Sequence, residues 1–316
     1  MTGPEIVAET RPPQARPGLG MAAAVAAVTI WGASSVLIKQ VEGLNGLGVA
    51  CYRVWIGAIV VTALFLASGR RLSWELLRLS IPGGLAFSAD LVLFFSAVQE
   101  TSVANATIVG ALQPILVLGV ASRMFGEPPR AAEIGWGALA VAGTILVVLG
   151  GDGGGAATRH GDLLAVGALV AWTAYFVASK SARRRLTSFE YLTGMAIVAA
   201  VAVIPLPFVF EGTLGATDAA GWVTIAFLTV VNGLLAHFLM SYSHGHVTLL
   251  AVSLLTLAIP VIAAVAAAVW IDEPLSLLQV GGMAVVLVAL TLVSVSSARR
   301  LPEVIEPDLE ALETAH

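Results

Sequence analysis

Apolar residues along this chain gather into ten long runs separated by short polar breaks. The runs fall at about 19–38, 49–67, 80–99, 102–122, 133–150, 162–182, 190–209, 220–243, 247–270 and 277–297. Each approaches the ~20 residues that a helix needs to cross roughly 30 Å of hydrocarbon. The pattern therefore predicts ten membrane-spanning helices. The breaks around Glu100–Thr101 and His244–His246 are the shortest. The first run is long enough to span the bilayer and reads as an uncleaved helix, not a signal peptide. Residues 1–18 are polar and Pro-rich and read as a disordered tail. Residues 299–316, with Glu303, Glu306, Asp308, Glu310 and Glu313, read as an acidic one.

Composition strengthens this picture. Of the 316 residues 58% are hydrophobic and 11% charged, with a mean hydropathy of +0.92. A soluble chain of this length needs far more charge to cover its surface, so the lipid bilayer is the natural solvent. Cys51 is the only cysteine. It can form no intrachain disulfide and no thiol-based metal site. No phosphate-binding glycine loop, zinc-ligand cluster or Ser/His/Asp constellation stands out at useful spacing. No cofactor, metal or nucleic-acid partner is expected, and the chain does not read as an enzyme.

The distribution of charge gives a direction. With the N-terminus inside, Arg11, Arg16, Arg70, Arg71, Arg78, Arg123, Arg130, Lys180, Arg183, Arg184, Arg185, Arg299 and Arg300 fall on the inner side. Lys39 and Arg159 fall on the outer side, and Arg53 lies within a span. Positive charge is retained on the cytoplasmic side of membrane proteins, so both termini are predicted to be cytoplasmic.

The sequence also repeats. Displacing it by 146 residues brings Pro114 onto Pro260, Glu127 onto Glu273, Pro128 onto Pro274 and Gly135 onto Gly281. Near the start of each half the displacement is 141, which brings Trp31 onto Trp172 and Lys39 onto Lys180. A loop-length difference between 69–79 and 211–221 absorbs the change. The chain thus reads as an all-α integral membrane protein of two five-helix repeats, 19–150 and 162–298. Because five is odd, the second half enters from the opposite side, giving the inverted topology characteristic of secondary transporters. Glu127-Pro128 and Glu273-Pro274 end the fourth and ninth spans. Their acids are expected to favour the N-terminus of the following helix, and Ser276 with Gln279 fits a capping box for the tenth.

"IWGASSVLIK" at 30–39, the Glu-Pro pair after the fourth and ninth spans, and a proline in the middle of each of those spans resemble the EamA branch of the drug/metabolite transporter superfamily. The resemblance covers about residues 19–298. It implies a bacterial inner-membrane permease, often an exporter of amino acids or related metabolites.

Within this frame, Pro114 and Pro260 are expected to kink their helices at midplane, freeing the carbonyls of Gly110 and Thr256 toward a central cavity or toward helix packing. Trp31 and Trp172 lie near midspan, with Ser35 and Tyr175 on the same helix faces. Gln113 lies beside the first kink, and Ser253 and Thr256 approach the second. These nine residues form the candidate substrate site, apolar with scattered hydrogen-bonding groups and suited to a small amphipathic molecule. Packing is the competing role for each. Arg53 is expected to snorkel to headgroups, with carboxylate binding as the alternative. Asn232 can bond across helices, and His237 can titrate near neutrality or stay neutral and satisfied. His244 and His246 share a short inner turn and make a weak metal site. Asp90, central in the third span, needs a partner, a cavity or a proton. It is the candidate for proton coupling or substrate recognition, against a structural bond to Asn232 or His237. A transporter working by alternating access, exporting its substrate and drawing on protons, is the reading that follows. A polytopic membrane enzyme and a channel are the alternatives.

Overall fold

A computed structural model describes residues 16–38, 41–101, 103–151, 158–210, 214–270, 272 and 274–298. The tail assignments before residue 16 and after 298, as well as Lys39, Glu273, Arg299 and Arg300, lie outside these residues. No strand occurs among those described.

The chain forms α1 (Pro17–Ile38), α2 (Gly46–Ala67), α3 (Trp74–Glu100), α4 (Val103–Gly110), α5 (Gln113–Phe125), α6 (Ala131–Gly150) and α7 (Arg159–Ala182). It continues with α8 (Ser188–Ala202), the short α9 (Leu206–Val209) and α10 (Ala219–Phe227). A π-helical segment over Leu228–Leu235 leads into α11 (Ala236–His244). Then come α12 (Leu249–Leu255), a 3₁₀ turn at Thr256–Ala258, α13 (Ile259–Trp270) and α14 (Leu277–Ala298). Among the described residues nine helical runs are long and apolar enough to cross a membrane, and α14 carries a further apolar stretch over Leu277–Val293.

Side-chain caps fix many of the starts. Asn45, Ser73, Thr158, Thr187, Asp218 and Thr248 each accept a backbone N–H three residues on, relieving an orphan donor of the first turn. The capping box is formed: the Ser276 N–H donates to Gln279 Oε1 (2.9 Å) and the Gln279 N–H to Ser276 Oγ (3.1 Å). Several helices start ahead of the apolar runs, α1 and α3 among them. Helix α1 begins at Pro17, inside the stretch read as tail, because proline is well suited to a first helical position. Helix α3 begins at Trp74, where Ser73 caps the first turn; Glu75 and Arg78 keep this stretch out of the apolar run.

The helices pack mainly across the middle of the sequence. Helix α1 lies on α11 and α13, α2 on α8 and the π segment, α3 on α7 and α8, α5 on α7 and α12, and α6 on α14. Gly143 and Gly282 let α6 and α14 meet backbone to backbone: a Cβ on Gly143 would stand 3.0 Å from the Gly282 carbonyl oxygen, and one on Gly282 2.8 Å from that of Gly143. Large apolar residues such as Ile59, Leu163, Val223 and Val269 are exposed around the outside, as expected of a surface made for lipid.

Hydrogen bonds show which loops share an end. Glu127 reaches Lys180 and the N–H of Leu249, Arg184 reaches the Met124 carbonyl, Arg70 reaches Thr187, and Arg185 pairs with Glu75. The connections after α2, α5, α7 and α11 therefore gather at one end, rich in arginine. At the other end Tyr52 bonds Gly215, Thr158 bonds Glu100, and Ser276 bonds Gly150.

Candidate functional site

The two interrupted helices set up the interior. Neither Pro114 nor Pro260 kinks a continuous helix, as the sequence suggests they would. Each is the second residue of a restarted one, α5 or α13, where a missing N–H deprives the helix of nothing. The chain before each proline leaves the α-helix: α4 stops at Gly110, and Thr256–Ala258 winds as a 3₁₀ turn. Residues of both breaks, Gly110, Ala111, Thr256, Leu257, Ile259 and Pro260, line a cavity of about 410 Å³.

Other helices complete its wall. Trp31 comes from α1, Asp90, Phe94 and Phe95 from α3, Thr107 from α4, Thr144 from α6, and Trp172 from α7. Asn232 comes from the π segment and His237 from α11. A second cavity of about 200 Å³ adjoins it, sharing Phe95, Asn232 and His237 and holding Arg53.

An aromatic and polar cluster joins the helices here. Trp31 meets Trp172 edge to face at 5.6 Å and His237 at 5.0 Å between ring centroids, and Trp172 stacks on Tyr175 at 5.1 Å. The Tyr175 hydroxyl and His237 Nδ1 share a hydrogen bond of 2.9 Å. Trp31 Nε1 donates to the backbone carbonyl of Asn232 at 3.2 Å, while Arg53 Nη2 donates to its side-chain oxygen. The π segment widens the helix where Asn232 sits, a distortion that recurs at functional positions.

Of the sequence-predicted residues, Trp31, Trp172, Thr256, Pro260, Asp90, Asn232 and His237 stand on the wall of the larger cavity. Gln113, Pro114, Tyr175 and Ser253 are buried behind it. The restarted helix turns Gln113 and Pro114 into the core, where Gln113 Oε1 accepts from Thr256 Oγ1 at 3.3 Å. Ser253 bonds back to the Leu250 carbonyl, and Tyr175 is occupied by His237. The side chain of Ser35 lies outside the described residues. Asp90 makes no hydrogen bond or ion pair among those residues. The structural bond to Asn232 or His237 is absent among the described residues; Asn232 instead accepts from Arg53 and Trp31, and His237 Nδ1 pairs with Tyr175.

Three further expectations change. Arg53 does not snorkel but reaches inward to Asn232. His244 and His246 do not form a pair: His244 Nδ1 bonds Ser179 Oγ at 2.7 Å, and His246 stacks on Tyr242. Glu127 does not serve the start of α6, which Glu133 caps; it accepts the Leu249 N–H at the start of α12. Thr107 and Thr144 were missed in the sequence. Thr107 is three residues before Gly110, so a polar position continuing the Gly110-to-Pro114 face was the available signal.

The chain matches the EamA-like transporter family twice, over residues 18–149 and 159–295. A WAT1-related chloroplastic protein of Arabidopsis thaliana is 25% identical over 284 residues, 84% of this chain and 66% of that protein. The "Uncharacterized inner membrane transporter YhbE" of Escherichia coli K12 is 26% identical over 60% of this chain and 62% of its own length. In both, the match spans less than two thirds of the relative. A "Probable terminal-alkyne amino-acid exporter" of Streptantibioticus cattleyicolor is 26% identical over 82% of this chain and 88% of its own. A protein crystal structure superposes with a TM-score of 0.78 at 20% identity, covering 90% of this chain and all of that one, and speaks to the fold alone.

Proposed function

Because the chain belongs to the EamA-like transporter family, we propose that it is a secondary transporter. On this reading it exports small amphipathic metabolites, amino acids or related compounds, by alternating access. The observation that carries the reading is the larger cavity, whose wall draws on both halves of the chain at two broken helices. Broken helices around an interior site are how transporters bring polar groups to the middle of the membrane. The wall is apolar apart from Asp90, a few hydroxyls, Asn232 and His237, which suits an organic molecule with a polar head better than a bare ion.

The ten-span, inverted-repeat organisation belongs to the same proposal, with repeats at 19–150 and 162–298. Two matches to one family support it. So does the reciprocity of the packing, since α1 lies on α11 and α13 as α7 lies on α3 and α5. The arginine-rich end is then cytoplasmic and the protein resides in a bacterial inner membrane, with both termini inside. Asp90, unpaired on the cavity wall, is assigned to proton coupling or substrate recognition. The family's transporters, and the exporter among the relatives, favour this over a polytopic enzyme.

The deciding experiment reconstitutes the purified chain in liposomes, after intracellular and extracellular metabolite pools of deletion and overexpression strains have been compared to supply the substrate. Saturable uptake stimulated by substrate on the opposite side is expected. Unsaturable flux without that stimulation would establish the channel alternative.

A further inference from the structure

Two cations that reach into the bundle, Lys180 and Arg53, are treated differently. Lys180 has a carboxylate, Glu127, at 2.8 Å. Arg53 has none. Its Nη2 donates to the neutral amide oxygen of Asn232, and its buried Nε has no partner among the described residues. The side chain lines the smaller cavity, whose other polar groups are Thr229, Asn232 and His237, and whose remaining wall is apolar. A guanidinium within a bundle keeps its charge, so it calls for an anion. None is supplied among the described residues.

Space and chemistry indicate which anion. The smaller cavity abuts the larger across Phe95, Asn232 and His237. A molecule whose apolar body occupies the 410 Å³ chamber can extend one small charged group past Asn232 to the guanidinium. The planar fork of arginine matches a carboxylate, which accepts two parallel N–H bonds. Asp90 stands on the far chamber's wall, so the carboxyl of Asp90 and the guanidinium of Arg53 lie on either side of the Asn232–His237 boundary.

We infer that Arg53 is the anchor for the carboxylate of the transported molecule, and that the smaller cavity is the subsite for that group. Asn232 is its positioning residue: its amide oxygen fixes one edge of the guanidinium and leaves the rest to the ligand. The inference rests on the transport reading for the word "transported", whereas the subsite itself is testable by binding alone.

The test uses the purified full chain in detergent and follows the protection of the fold against heat. The probes are L-leucine, L-phenylalanine, 4-methylpentanoate and 3-phenylpropanoate, each beside its primary amide, with sodium chloride and sodium phosphate as inorganic anions. The expected result is an affinity for at least one carboxylate exceeding that for its amide by about tenfold or more, because the amide leaves the guanidinium unmatched. In Arg53→Gln the ratio falls to about one. Arg53→Lys keeps the charge without the fork and covers the case in which the glutamine variant fails to fold; it is expected to lose most of the preference. Equal protection by acids and amides, a preference that survives both substitutions, or protection by none of the acids would overturn the assignment. Protection by chloride or phosphate equal to that by the acids would replace it with an inorganic-anion site. Arg53-dependent carboxylate binding without exchange in liposomes would retain the anchor and discard transport; exchange unaffected by Arg53→Gln would do the reverse.

Discussion

Glu127 and Lys180 meet at 2.8 Å across the seam between the two halves of the chain, with both side chains largely buried. Lys180 Nζ also donates to the Val247 carbonyl at 2.7 Å, and Glu127 also accepts the Leu249 N–H at 2.9 Å. One ion pair thus ties the turn after α5, the end of α7 and the start of α12.

The pair predicts a stability effect. Glu127→Gln leaves the Lys180 ammonium buried without its counter-charge, and breaking such a pair costs about 3–5 kcal/mol. The double variant Glu127→Gln/Lys180→Met is expected to regain much of that loss. Thermal denaturation of the purified variants checks it: a double variant no more stable than Glu127→Gln would mean that Lys180 is not the group left stranded.

The helix breaks predict a functional effect. Pro114→Ala and Pro260→Ala restore the missing N–H and allow the interrupted helices to join, narrowing the chamber between them. Transport is expected to fall on the order of tenfold or more, because small displacements at a binding site are amplified in rate. The amount of folded protein should fall much less. Parallel loss of both quantities would reduce the breaks to a matter of packing.

Trp31 and Trp172 allow a finer test of the wall. Trp31→Phe keeps an apolar ring but removes the N–H donated to Asn232, whereas Trp172→Ala opens the apolar surface. Both are expected to weaken substrate affinity. Unchanged affinity in both would take the two rings out of contact with substrate.

Asp90→Asn preserves shape and cannot ionise. It is expected to abolish proton-driven accumulation while leaving substrate exchange in place. Full proton-driven transport by this variant between about pH 5 and 8 would end any role for ionisation at this position.

Orientation is open to direct measurement. A reporter active only outside the cytoplasm should be silent when fused after Arg300 and active when fused beside Asp218. The reverse pair of results would exchange the two sides throughout.

The sequence revealed what depends on local periodicity. Helix existence followed from the length of the apolar runs, and the Ser276–Gln279 cap from its spacing. Trp31, Trp172, Asp90 and Pro260 stood out because each is an unusual residue for midspan. Less legible was whatever depends on which way a backbone turns after a break. Gln113 and Pro114 sit beside the right proline, yet the restarted α5 points them into the core. The π segment was invisible because Leu228–Leu235 has the composition of any apolar helix. Arg53 was misplaced because its distance from the helix end says nothing of Asn232, 179 positions away, whose amide draws it inward.

The packing has a consequence for how such a chain can be divided. The principal helix pairings, α3 with α7 and α8, α6 with α14, and α1 with α11 and α13, all join an early segment to a late one. Severed within 152–157, neither fragment would hold its own interior: Arg53 would lose Asn232, Tyr175 would keep His237 but lose the ring of Phe87, and Gly143 would face lipid in place of Gly282. Two separately synthesised fragments should therefore be degraded when made singly and reassemble when made together. The single polypeptide is in this sense a covalently joined heterodimer, and on the proposed inverted topology a gene of half this length would require a partner of opposite orientation.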